Sequence, residues 1–414
     1  MRRIAPLMAA GVIAALSLAG CTTASTDASG PVELTLWTGF TGGDRGAYED
    51  LIKEFNATHT NIQVTMEVQP WDTISQKLPS AWATGQGPDL ATPNFDPNVL
   101  AKYLETDSLL ALDAIGDSET QINADKLAPA AIEAFTVDNT LYAVPANIAT
   151  LQLYYNKALF EAAGIDGPPT TVDELVEDAK ALTGDGVYGL TLADHETIQM
   201  WPILQWLDGG DIVDEQGCSV LDSDANIASL TKWAGLVQDG VSPVGQTGAE
   251  ADSVFSAGKA AMELNGPWAA PGYTAAGIDL GIAAVPVGVD GPVTLGSTVP
   301  LAASAQTKHP AEAQEFLAWW TGKDAQKQFA LASGFPPVRT DLGDDADLAA
   351  NDVIAKFAAA LPSARLYLPG VTGASQVDSE VYVPLIGEIT RGADVATAVA
   401  TATEKINAIT GCAG

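Results

Sequence analysis

The stretch Lys259-Ala260-Ala261-Met262-Glu263-Leu264-Asn265-Gly266-Pro267-Trp268 delivers a large aromatic just past a short apolar run. Pro267 fixes its own φ and has no N–H, so a strand over Ala260–Leu264 must end there. Gly266 lets the backbone bend sharply. Trp268 is thereby held on a defined backbone at a strand's end, where open α/β sheets place their ligands. An indole face there suits the apolar face of a ring-shaped, hydroxyl-bearing solute, or it fills core. Trp37 and Trp201 face the same choice. Trp71 follows Pro70 in what reads as a loop, where an exposed aromatic points to a cleft.

Covalent chemistry finds less support. Glycoside hydrolysis needs two carboxylates flanking one bond, and 52 acidic residues leave such a pair available. No Gly-x-Ser-x-Gly motif occurs, and His59, His195 and His309 fall in surface or helix-edge settings that suit neither a triad nor a zinc site. The loop Thr38-Gly39-Phe40-Thr41-Gly42-Gly43 lacks the Lys-Ser/Thr ending of a P-loop and the glycine spacing of a dinucleotide fingerprint. It reads as bare backbone lining a cleft. No cofactor or metal is implied. Asp208, Arg339 and Arg365 read as helix-end or surface residues, although Arg365 with the Gly296-Ser297 loop could hold a phosphate.

The elements that must position these residues follow from periodicity. Val32–Trp37 alternates as a strand, Tyr48, Leu51, Ile52 and Phe55 recur at helical spacing, and Ile62–Val68 is a second strand. Asp44 is placed to cap the first helix. A helix over Thr73–Thr84 and a short buried strand at Leu90-Ala91 come next, the grammar of a parallel sheet with helices on both faces. Leu141–Asn147 reads as a strand ending in a proline turn, and Leu151–Asn156 as another, followed by the helix Lys157–Ala163 stopped by Gly164. Thr171 to Glu174 has the capping-box pattern. Pro310–Leu331 reads as one strong helix, and helices over about Asp378–Thr390 and Val395–Ile409 finish the chain.

The N-terminus is a targeting segment. Met1-Arg2-Arg3 is basic, Ile4–Leu18 is apolar, and Leu18-Ala19-Gly20-Cys21 follows. The apolar run is shorter than the ~20 residues needed to cross a bilayer. Residues 1–20 are therefore expected to be a signal peptide, and residues 21–31, small and polar, a flexible tether. The remainder is long enough for two domains. A formal charge of −33 repels nucleic acid and anionic headgroups. Besides Cys21 the chain holds Cys218 and Cys412, which in a secreted domain are expected to pair.

Taken together these segments resemble the extracellular solute-binding proteins of ABC importers, in the sugar-binding, maltose-binding-protein-like group. The resemblance is carried by the lipobox at Cys21, Leu36-Trp37-Thr38-Gly39, Gly85-Gln86-Gly87-Pro88-Asp89-Leu90, Tyr142-Ala143-Val144-Pro145, Leu153-Tyr154-Tyr155-Asn156-Lys157, Gly258-Lys259-Ala260-Ala261-Met262, Asn265-Gly266-Pro267-Trp268 and Gly334-Phe335-Pro336-Pro337-Val338-Arg339, in the expected order. It implies a monomeric α/β protein of two lobes joined by a three-segment hinge, with residues 31–145 and 299–335 in one lobe and 147–297 and 338–414 in the other. A carbohydrate would bind in the cleft between them and pass to the membrane permease. Cys21 would carry lipid and hold the protein on the outer face of the cell membrane. A glycerophosphodiester is the alternative ligand.

Carried over position by position, the resemblance implies sugar contacts at Asp44, Arg45, Asp96, Asn147 and Glu196, and a stacking platform at Trp268. Pro93 or Asn94 lies where the group has a stacking tryptophan, and Ser375, Gln376 and Ser379 replace the group's C-terminal tryptophan and arginine. Those losses imply a ligand other than linear maltodextrin.

Overall fold

The computed structural model describes residues 30–94, 99–112 and 121–412. The expected signal peptide, most of the tether, the lipidation site Cys21 and the expected contact Asp96 lie outside them.

Twelve strands are described, in chain order β1 (Val32–Thr38), β2 (Ile62–Val68), β3 (Leu90–Ala91), β4 (Thr136–Val137), β5 (Thr140–Leu141), β6 (Ala143–Thr150), β7 (Gln152–Asn156), β8 (Tyr188–Thr191), β9 (Ala260–Asn265), β10 (Leu280–Ala283), β11 (Thr294–Ala303) and β12 (Ala364–Leu366). β4 and β5 form a small hairpin. The rest form two mixed sheets, which makes the chain an α/β protein of two lobes. The first has the order β12-β11-β3-β1-β2, with β6 paired to β11; the second has the order β10-β7-β9-β8. β1 lies between β2 and β3 and, as the strand–helix alternation predicts, runs parallel to both. The second sheet pairs β8 parallel to β9, with β7 antiparallel between β9 and β10.

Each sheet has its own core, and the chain passes between the cores within β6 and β11. Ala143, Val144, Ala146 and Ala149 belong to the first core and Leu151 to the second; Leu295 belongs to the second and Val299 to the first. Asn147 thus falls inside β6, ahead of this passage. Pro145 does not end its strand, contrary to the expected turn. It faces Pro300 across the ladder, at a register shift between Val299 and Pro300. Neither residue has an N–H to lose, so each tolerates the other's missing donor.

Local signals are mostly obeyed. Gly164 ends the helix Lys157–Ala163 at φ +73°, and the Thr171–Glu174 capping box is formed. Two expectations need correction. Asp44 precedes the helix Arg45–Thr58 but its side chain makes no cap hydrogen bond. The expected Pro310–Leu331 helix is two helices, Pro310–Trp320 and Lys323–Ser333. The break is at Gly322, where a Cβ would lie 2.8 Å from the Trp319 carbonyl oxygen and Thr321 Oγ1 bonds back to the Leu317 carbonyl.

Cys218 and Cys412 form a disulfide, with Cα atoms 5.5 Å apart. It fastens the end of the helix Val395–Thr410 to the loop before the helix Asp224–Gln238.

Candidate functional site

A cleft of about 1340 Å³ opens between the lobes. Its floor is the crossing strand β11 at Gly296, Ser297 and Thr298. One wall is built on the first lobe by the N-terminal turns of the helix Trp71–Ala83 and by Asn94; the other, on the second lobe, by Glu196–Gln199, Tyr367 and Ser375–Ser379.

Trp71 is not in a loop. Pro70 takes the cap position, with extended backbone, and Trp71 begins the helix. The half-buried indole lies on Gly39, where a Cβ would come within 2.1 Å of the ring, and meets the edge of Phe40 at a centroid distance of 5.5 Å. The bare glycine loop therefore seats the aromatic rather than cradling a phosphate. One turn further on, Ser75 Oγ accepts from Asn94 Nδ2 at 2.8 Å, fixing the amide on the same wall.

On the facing wall the Tyr367 hydroxyl donates to Asp378 Oδ1 at 2.7 Å. Leu368, buried next to it, has φ +47°, and Glu196 has φ +59°. Left-handed backbone is costly for such residues and clusters at functional sites. Glu196 holds its carboxylate half-exposed, 3.8 Å from His195. Val137 and Leu366, two large apolar side chains left exposed, line the cleft.

The other expected site residues are placed differently. Trp201 is a correction: it is wholly buried in the second core and its indole N–H donates to the Ala193 carbonyl at 2.8 Å, so no ring face is free. Arg365 is also a correction: it pairs with Asp211 and lies 4.8 Å over the Trp206 ring, away from the cleft lining, so it is not a phosphate clamp. Arg45 is exposed and bonds Glu49 at 2.7 Å. Trp37 is half-buried against the first core. Asn147 is buried, with Nδ2 donating to the Tyr48 hydroxyl at 2.7 Å. Asp44 is buried outside the cleft lining, and burial pushes its carboxyl up to about 7, helped by the nearby charge of Asp252. Trp268 packs against the cores of both lobes. Asp208 and Arg339 are not plain surface residues. Asp208 accepts from Ser229, Lys232 and Trp233, and Arg339 is buried, donating to Asp341 and to the Thr321 carbonyl.

Sequence reasoning missed Tyr367. Its signal was the same as that of Trp268, an aromatic beside a Pro-Gly turn (Pro369-Gly370), but no strand pattern framed it.

Two lobes, each with its own sheet, joined by strands that pass from core to core around an open cleft, define the periplasmic-binding-protein class of solute receptors. The chain belongs to the bacterial extracellular solute-binding protein family, whose profile matches residues 50–356. It is a non-enzymatic solute receptor. Its fold matches that of the GacH receptor of Streptomyces glaucescens, solved unliganded and with acarbose, at a TM-score of 0.82 and 23% identity over 93% of this chain and all of that one. It also matches UgpB of Mycobacterium tuberculosis in complex with glycerophosphocholine, at a TM-score of 0.80 and 24% identity over 92% and 98% of the two chains. In sequence it is 26% identical to the maltotriose-binding protein of Pyrococcus abyssi over 81% of this chain and 73% of that protein.

Proposed function

We propose that the chain captures a neutral carbohydrate between its lobes and delivers it to a membrane permease, tethered to the outer face of the membrane through a lipid on Cys21. The observation that carries this reading is the pairing of a seated aromatic face, Trp71 on Gly39, with fixed hydrogen-bonding groups on both walls, Asn94–Ser75 and Tyr367–Asp378. Ring faces take the C–H side of a sugar, and planar amides and carboxylates take its hydroxyls. The oligosaccharide ligands of the maltotriose-binding protein and of GacH support the same class. Residues 31–145 with 299–335, and 147–297 with 338–414, are assigned to the two lobes, which close by hinging about β6 and β11.

The likeness to UgpB raises the glycerophosphodiester reading. The lining speaks against it. Asp72, Glu105, Glu133, Glu196 and Asp378 outnumber Lys102, and Arg365 is already paired. A thermal-shift panel of mono-, di- and trisaccharides and glycerophosphodiesters tests both, since ligand at 100 times its Kd stabilises by about 2.7 kcal/mol. The hit's affinity should hardly change between 0.05 and 0.5 M salt, roughly; a steep fall with salt would favour the phosphodiester.

Trp71→Ala is expected to weaken binding of that hit by about 30-fold, the ~2 kcal/mol typical of a truncated aromatic anchor. Gly39→Ala, which pushes the indole off its seat, should give a smaller loss of the same sign. Calorimetric titration of both variants checks this; unchanged affinity in Trp71→Ala would move the ligand elsewhere in the cleft.

A further inference from the structure

The loop Gly42–Asp44 of the first lobe meets the segment Trp268–Gly272 of the second. The contact is backbone on backbone: a Cβ at Gly43 would lie 2.9 Å from the Gly272 nitrogen and 3.0 Å from the Trp268 carbonyl oxygen. Asp44 is carried into this contact with 4% of its surface exposed. Beyond its own backbone N–H, nothing among the described residues donates to its carboxylate.

The groups around it are acids and phenols. From its own helix comes Tyr48, whose hydroxyl accepts from Asn147 of β6. Across the contact lies Asp252, on the helix Gly248–Ser256, which accepts from Asn265 Nδ2 at 2.7 Å and from the Tyr273 hydroxyl at 3.3 Å. Tyr273 also donates to Glu263, which is fully buried on β9, and Tyr154 of β7 stands against both phenol and acid. Arg45, the nearest cation in sequence, turns outward to Glu49. Burial, and after it the charge of Asp252, push the Glu263 carboxyl well above the usual carboxylate range. Asp252, Glu263 and Tyr273 satisfy one another within one lobe. Asp44, by contrast, follows directly on Gly42 and Gly43, which touch the other lobe, and feels the charge of Asp252 from that lobe.

We propose that docking the Gly42–Asp44 loop onto the Trp268–Gly272 segment takes up a proton on Asp44, so that closure of the lobes is coupled to acidity. The coupling goes beyond the proposed ligand class and requires no ligand. With the lobes apart Asp44 faces water and titrates near its ordinary 3.8; docked, it titrates at about 7. The docked state binds more protons. Docking is therefore strongest below pH 4, weakens as pH rises through 7, and changes little above that. Across this window the closure equilibrium shifts by up to roughly a thousandfold, about tenfold per unit of displacement.

Small-angle scattering of the unliganded full chain between pH 5 and 8.5, with hydrogen exchange of the 38–48 segment corrected for intrinsic rate, follows closure directly. The wild type should open as pH rises. Asp44→Asn, which keeps the shape without the charge, should stay closed throughout. Asp252→Asn should move the midpoint to lower pH by removing the facing charge, a shift that a purely structural role would not give. Gly43→Val, which holds the backbones apart, should be open at every pH. A wild type whose dimensions are independent of pH, or an Asp44→Asn variant that opens along with it, overturns the proposal.

Discussion

Trp268→Ala is expected to cost about 2–4 kcal/mol of stability as well as ligand affinity. Read from the sequence, this residue is a platform whose removal would leave the fold intact. The structure leaves it out of the cleft lining and gives it a packing task. It sits in the short turn Pro267–Ala269 and packs against the cores of both lobes, with its ring centroid 6.3 Å from that of Phe335. A Cβ on Gly266 would come within 2.0 Å of the ring, so the glycine exists to let the indole fold back on its own turn. Truncating a packed tryptophan typically costs 3–5 kcal/mol through lost transfer energy and the cavity left behind. Trp268 is only partly buried, which lowers that figure. Its side chain also stands beside Gly42, so the lobes lose part of the surface on which they meet. Denaturant titration should show a lower midpoint at constant slope, and scattering should show a more open chain. Trp268→Phe should recover most of the stability. A variant that loses affinity while its midpoint stays at the wild-type value would return Trp268 to a ligand platform alone.

That outcome turns on what local sequence can and cannot carry. The strand–helix order, the parallel run of the first strands and the Thr171 capping box depend on periodicity and caps within a few residues and were legible, whereas the spatial order β2-β1-β3 was not. The seat of Trp71 was half legible: the bare glycine loop and the tryptophan after a proline were both visible, but only the fold places one on the other, 32 positions apart in sequence. Trp201 and Trp71 look alike in a sequence, an aromatic beside a proline. One is sealed in the core with its N–H on a carbonyl and the other lies at a cleft. Arg365 looked like an anion clamp because its partner Asp211 is far away along the chain. The meeting of Asp44 with Asp252 was illegible for the same reason, since it needs two lobes folded and docked. Asn94 showed the converse: a lost aromatic platform, yet still a wall of the cleft through its bond to Ser75.

The bridge between Cys218 and Cys412 carries the second large effect. Its ends are 194 positions apart, and in the chain-entropy description closing so long a loop stabilises by about 5 kcal/mol, with removal of native disulfides typically costing about 2–5. What it fastens is specific. The helix Val395–Thr410 buries Val395, Val399, Ala402 and Ile406 in the second core, and Asn407 Oδ1 accepts from the Ser219 backbone beside Cys218 at 2.8 Å. The bridge thus reinforces a seam that packing has already formed, and its loss should fray the end of the helix rather than unfold the lobe. Replacing both cysteines by serine is expected to lower the denaturant midpoint by an amount worth about 2–5 kcal/mol and to raise hydrogen exchange over residues 403–412. Ligand affinity should stay within about twofold, because neither cysteine lines the cleft. Reductant should lower the midpoint of the wild type and leave the double variant unmoved. If reductant shifts both equally, the stabilisation comes from some other part of the chain; if affinity falls along with stability, the seam and the cleft are coupled through the second core.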